Sequence, residues 1–259
     1  MISIDEIKKF YPSDIHKYDR GLLREYLQYL ILSIIFSHKI GRKLSFLEGT
    51  CLRIVYGSKR FSEDLDFDNK NLTNEDFTTL SQFIARELEK LGFEVEISIV
   101  NKRAFHCKIK FPKLLQRNNM SGYDEEKIMV QVDTFDQQVN YPTESYILNK
   151  FDIVKPITIT PKPIILAQKL WTITNRARAK GRDFYDIIFL LQNTKPDKEF
   201  LAVKFGTRDL SKIKEKILIY LETIDFEEVA DDVKPFVMDD DDVDKIRYFK
   251  KLLEQTNLE

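Results

Sequence analysis

Cysteine is scarce in this sequence: Cys51 and Cys107 stand far apart with no paired spacing, which excludes a disulfide framework and a zinc cage and points to a reducing cytoplasm. Glycine and proline number 8 each, and the one biased tract is Asp239 to Asp242, so collagen-like and disordered classes are excluded. Long apolar runs are missing too. The longest, Tyr29 to Phe36, is too short to cross a bilayer, and Met1 to Glu6 hold no basic stretch leading into an apolar one. The expectation is a soluble, unexported protein with no membrane partner. Charge of one sign is also lacking: the formal net charge is -1, so no whole-molecule basic field exists to coat nucleic acid, and any polynucleotide contact must be local.

What is present is an ordered chain of 259 residues, 43% hydrophobic, long enough for one large domain or two modest ones. Between Asp19 and His38 the apolar residues Leu22, Leu23, Tyr26, Leu27, Leu30, Ile31, Ile34 and Ile35 recur at three and four, predicting a core helix. Ser45 to Glu48 reads as a short strand running into Gly49-Thr50, followed by a short helix that Gly57 closes. Leu65 and Phe67 alternate with Asp64 and Asp66, a strand with one apolar and one acidic face. Asn74 to Leu91 predicts a helix capped by Thr73 or Asn74 and ended by Gly92. Alternation at Val95, Ile97 and Ile99, then at Phe105, Cys107, Ile109 and Phe111, predicts a hairpin about Asn101-Lys102-Arg103. After a polar loop from Arg117 to Glu126, Ile128, Val130 and Val132 alternate with Met129, Gln131 and Asp133. Strand signals thin out beyond Tyr141, and helices are expected over 162–174, 183–193, 209–222 and 240–254, which places a boundary near residue 155. In the last of these, Ile246, Phe249 and Leu253 share a face, and the leading aspartates sit at the favourable end of the helix dipole.

The chemistry concentrates in Phe46-Leu47-Glu48-Gly49-Thr50, then thirteen residues, then Asp64-Leu65-Asp66-Phe67, with Val132-Asp133-Thr134 further on. Strand period two puts Asp64 and Asp66 on one face, where both can grip a hard cation that prefers oxygen ligands, and Asp133 on another strand's polar face completes the set. Mg²⁺ or Mn²⁺ held by such carboxylates clamps the attacking and leaving oxygens of an in-line displacement at phosphorus. Gly49-Thr50 opens a helix, and a helix start after glycine offers N–H groups to an anion, which places a triphosphate there. The plain structural alternative is that these aspartates are surface residues of an amphipathic edge strand.

Taken in order, these segments resemble the AbiEii/AbiGii toxin family of nucleotidyltransferases. Leu47-Glu48-Gly49-Thr50-Cys51-Leu52-Arg53 and Arg60-Phe61-Ser62-Glu63-Asp64-Leu65-Asp66-Phe67 are similar to its Gly-Gly-Thr-Ala-Leu-Arg and Arg-x-Ser-x-Asp-x-Asp-Phe patterns. Ile165-Leu166-Ala167-Gln168-Lys169-Leu170 and Arg182-Asp183-Phe184-Tyr185-Asp186-Ile187 match its Ala-Glu-Lys and Arg-Asp-x-Tyr-Asp segments. The resemblance implies an α/β (α+β) fold: a mixed-sheet nucleotidyltransferase core over 1–155, flanked by helices, and a helical domain over 156–259 closing the active-site cleft. It implies an NTP co-substrate, a tRNA 3′ end or other RNA as acceptor, a cognate antitoxin, and a place in a toxin–antitoxin or phage-defence pair. Glu48 departs from the pattern, standing where the family has its first Gly, and a carboxylate at the phosphate turn repels a triphosphate unless it points away.

Lys169 and Asp186 carry two readings. One is a structural ion pair tying two helices together, since a charge in so apolar a setting must be paired. The other, implied by the resemblance, puts Lys169 on the triphosphate with Asp186 orienting it. Asn175 to Arg182 holds four positive charges and no negative one, so Arg178 and its neighbours are candidates for acceptor or NTP phosphates, with a solvated loop as the alternative. Arg60 and Ser62 flank the acidic pair as nucleotide-binding candidates; a salt bridge from Arg60 to Asp64 or Glu63 and a turn hydrogen bond at Ser62 are the competing accounts. His106, on a strand's polar face, reads as a surface residue, and Trp171 as packing. Competing functions are transfer to a protein or small-molecule hydroxyl, and a non-catalytic partner that keeps the fold. A glycosyltransferase using Asp-x-Asp would leave Gly49-Thr50 and Asp133 unexplained.

Overall fold

The computed structural model describes residues 3–101, 104–123 and 125–259; the side chain of Asp240 lies outside that description. Part of the expected turn at Asn101-Lys102-Arg103, one residue of the polar loop before Glu126 and the first two residues of the chain also lie outside it. The chain forms two compact units, 1–51 with 63–137 and 143–159, and 52–62 with 138–142 and 160–259.

The first unit holds helices α1 (Ile4–Lys8) and α2 (Asp19–Ser37), strand β1 (Leu44–Leu47) and the start of α3 (Glu48–Ile54). It continues with β2 (Leu65–Asn69), α4 (Asn74–Lys90), β3 (Glu96–Asn101), β4 (Phe105–Phe111), α5 (Leu114–Arg117), β5 (Ile128–Phe135), β6 (Glu144–Lys150) and β7 (Ile153–Ile159). The strands make one mixed sheet of seven, in the order β3-β4-β5-β2-β1-β7-β6. Apolar alternation dictates which face is covered: Leu65, Phe67, Val130, Val132, Cys107 and Ile109 are buried on the side over which α2 and α4 lie. Helix α4 starts as its sequence requires, with Thr73 and Asp76 exchanging capping-box hydrogen bonds of 3.1 and 3.2 Å.

Two strands stand where alternation fades, β6 and β7. Their hairpin turns through Phe151 and Asp152, both left-handed at φ 56° and 62°, with Lys150 paired to Ile153. Such a turn ordinarily takes Asn-Gly. Here Phe151 is held by packing instead, its ring centroid 4.9, 5.3 and 5.2 Å from those of Phe10, Tyr26 and Tyr29. Exposed Ile147 and Val154 blur the strand pattern further, and neither is turned to the covered face.

The second unit is helical: α6 (Lys162–Asn175), α7 (Gly181–Leu191), α8 (Lys198–Phe205), α9 (Leu210–Leu221), α10 (Phe226–Val233), α11 (Asp240–Arg247) and α12 (Phe249–Gln255). Phe184, Phe226 and Phe249 meet at its centre with centroids 4.8 to 6.4 Å apart. The single helix expected over 240–254 is two, broken at Tyr248, while Ile246, Phe249 and Leu253 still face inward. None of the described helices is long and apolar enough to cross a membrane.

Candidate active site

The register of the sheet builds an acidic row. In β2 and β5, which run parallel, Asp66 pairs with Asp133; in the antiparallel β4 and β5, His106 pairs with Asp133; and Leu47 of β1 pairs with Asp66. Register partners share a face, so His106, Asp133 and Asp66 stand side by side on the face opposite α2 and α4. Both aspartates are half-buried, while their strand neighbours Leu65, Phe67 and Val132 fill the core. Asp64 lies two residues before Asp66, immediately ahead of β2. The expected turn ahead of the helix is absent, because α3 starts at Glu48 directly after β1; the buried hydroxyl of Thr50, in its first turn, donates to the main-chain carbonyl of Asp64 and ties the helix to the acidic segment. That bond shows a positioning use for Thr50 which the sequence reading did not contain.

Asp133 is itself held. His106 Nδ1 donates to its Oδ1 at 2.8 Å and Gln131 Nε2 to its Oδ2 at 2.8 Å. Asp68, next along the same face, is buried and accepts the main-chain N–H of Gln137 at 2.9 Å. Neither His106 nor Gln131 was singled out as a site residue, although both lie on the polar face of a strand with an acid, which is the signal that would have found them.

At the start of α3 the backbone suits the family's glycine better than the Glu48 that stands there. Glu48, the first residue of α3, sits at φ 65°, a left-handed conformation in which glycine is the unstrained residue. Both thiols are buried, and burial pushes Cys107 up to about 11 and Cys51 well above its ordinary value.

In the second unit Lys169 on α6 meets two carboxylates of α7, Asp183 at 2.9 Å and Asp186 at 3.1 Å. Arg60 grips Asp186 with both arms, Nε to Oδ1 and Nη2 to Oδ2 at 2.7 Å each, and also donates to the Phe61 carbonyl. Arg176 reaches the other oxygen of Asp183 at 2.7 Å. All four of Arg60, Lys169, Asp183 and Asp186 are buried, so each charge needs its counter-charge. Burial alone would raise the Asp183 carboxyl, but Lys169, Arg176 and Arg60 together hold it below the ordinary carboxylate range. Asp183 was readable: three residues before Asp186, it shares that residue's helix face.

The remaining candidates are more dispersed. Arg178 is exposed and pairs with exposed Glu228 at 2.9 Å. Arg182 stacks on the Phe236 ring at 4.3 Å. Ser62 is half-buried in the segment that leads into β2, and Glu63 beside it pairs with Arg24 at 2.9 Å.

A sequence profile of the family described as "Nucleotidyl transferase AbiEii toxin, Type IV TA system" matches residues 49–255. No curated protein matches the sequence. Among solved structures, JHP933 from Helicobacter pylori is similar with a TM-score of 0.55 at 16% identity, over 91% of this chain and 92% of that one. A candidate nucleotidyltransferase from the same organism gives 0.55 at 15%, over 91% of this chain and 95% of that one. At these identities the likeness is one of fold.

Proposed function

Because the chain belongs to the AbiEii nucleotidyl transferase toxin family of type IV toxin–antitoxin systems, we propose that it is a Mg²⁺-dependent enzyme moving a nucleoside monophosphate from an NTP to the 3′ end of a tRNA. The family implies a nucleotide triphosphate substrate and a cognate antitoxin. The observation that carries the metal-dependent reading is the row in which Asp66 and Asp133 are direct register partners, with Asp64 two residues away.

The donor chemistry of these acids suits a divalent ion, although among the described residues the ligand oxygens of Asp64, Asp66 and Asp133 do not all lie within 4.8 Å of one another. Asp66 and Asp133 are register partners on adjoining strands, and their carboxylates are the hard oxygen donors that a divalent ion takes. Asp64, Asp66 and Asp133 would hold it, and once bound it would neutralise triphosphate charge and lower the pKa of the attacking hydroxyl. The protein's own work is orientation. Thr50 fixes the Asp64 segment, and on the family resemblance the first turn of α3 at Gly49-Thr50 would face the triphosphate. In the reaction an acceptor hydroxyl oxygen bonds to the α-phosphorus as pyrophosphate departs.

On the family resemblance Lys169 serves the triphosphate and Asp186 orients it, with Arg60, Ser62 and Arg178 assisting the nucleotide. The double grip of Arg60 on Asp186 suits an orienting role. The same ion pairs also favour the structural account, a tie between α6 and α7. A Lys169→Met variant separates them: a raised KM for NTP at unchanged Tm marks the first, a lowered Tm at unchanged KM the second.

The test of the acceptor is incubation with labelled NTP, Mg²⁺ and total tRNA beside an Asp64→Ala control. Label on RNA from the wild type alone supports the proposal. Label migrating with protein or a metabolite redirects it to another hydroxyl, and equal behaviour of wild type and variant refutes it.

A further inference from the structure

We infer that His106 is a positioning residue for metal binding, holding the Asp133 carboxylate in the rotamer that turns its free lone pairs toward Asp66. The inference rests on the reading of Asp133 as a metal ligand.

Three strands place the groups in one transverse line: His106 on β4, Asp133 on β5, Asp66 on β2. A carboxylate oxygen accepts, so Nδ1 of His106 carries the proton in the 2.8 Å contact with Oδ1. Gln131 supplies the second donor, to Oδ2, from two residues earlier on the same strand. One donor on each oxygen fixes the carboxylate plane. It leaves a lone pair on each oxygen for a cation, since a carboxylate has about four acceptor sites.

His106 reaches Asp133 from the far side of the acidic row, so the imidazole stands on one flank of Asp133 and Asp66 on the other. The side chain of His106 is 39% exposed and that of Asp133 22%, and the Asp133 carboxylate is held by its hydrogen bonds to His106 and Gln131. Partners that orient a metal's ligands typically change affinity by about 10–100-fold when removed.

The experiment is titration of the full chain with Mn²⁺, free ion being followed by electron paramagnetic resonance, without nucleotide and with Tm measured on every sample. His106→Ala is expected to weaken Mn²⁺ binding by about tenfold at a Tm close to wild type. His106→Asn, whose side-chain N–H can stand where Nδ1 does, is expected to restore most of it. Unchanged affinity in His106→Ala, while Asp133→Ala loses binding, overturns this inference and leaves the metal reading intact. Unchanged affinity in Asp133→Ala overturns both. Weak binding in His106→Ala and His106→Asn alike, together with a lowered Tm, marks a structural role and also overturns it.

Discussion

Asp66 and Asp133 are like charges on adjoining strands, a cross-strand pair that contributes less to stability than an apolar one. Asp66→Ala is expected to lower transfer at least about 100-fold, the effect of losing several kcal/mol of charge stabilisation, in a protein that a thermal melt shows to be folded. Glu48 shows what one backbone angle implies. At φ 65° a β-branched side chain is the worst occupant, so Glu48→Val should be less stable than Glu48→Gly by about 1–2 kcal/mol in denaturant unfolding. Asp183 gives a pH signature. Its carboxyl is held below its ordinary 3.8, so its contribution is complete above that pH and fades as pH falls through the lowered value. The stability difference between wild type and Asp183→Asn should be large at pH 7 and shrink in acid below about pH 4; a difference constant over that range would contradict the assignment.

Elements were legible in proportion to how strictly one face was buried. The helices at Asp19–Ser37 and Asn74–Lys90 and the strands around Leu65, Cys107 and Val130 were announced by their spacing, and β2 and β5 carry their acids on the face that alternation assigned. The β6–β7 hairpin was not, because its turn replaces Asn-Gly chemistry with a caged aromatic and its exposed face carries Ile147 and Val154. Phe151→Ala keeps the left-handed strain and removes the ring contacts, so it should destabilise by about 3–5 kcal/mol. Gly181 illustrates a contact that no periodicity reports. A Cβ there would lie 2.2 Å from the Val229 carbonyl oxygen, so α7 and α10 approach as glycine alone permits. Gly181→Ala should lower stability by about 1–3 kcal/mol, read from the denaturant midpoint.

For the molecule as a whole, sequence order and spatial grouping part company. Residues 52–62 and 138–142 belong with the helical unit although β-strands surround them in the chain. Periodicity tells which face of a segment is buried, not against what, and so Arg60 could be read as flanking the acidic pair without its grip on Asp186 being visible. Strand period placed Asp66 and Asp133 each on a polar face, but the parallel pairing and register that set them side by side are visible in the structure alone. The support of Asp133 was less legible still: His106 and Gln131 matter through hydrogen bonds to one carboxylate, which spacing alone does not specify. Were the acceptor an RNA, as proposed, the net charge of -1 would leave its phosphates to the local stretch from Asn175 to Arg182, and binding should weaken with salt at a shallow slope.

The measurement that bears most directly on the account is label transfer as a function of Mg²⁺ concentration, for wild type, Asp66→Ala and Asp133→Asn, each shown to be folded. Saturable Mg²⁺ dependence in the wild type and no transfer at any Mg²⁺ in either variant is the expected result. A folded Asp133→Asn protein that transfers at the wild-type rate would contradict it.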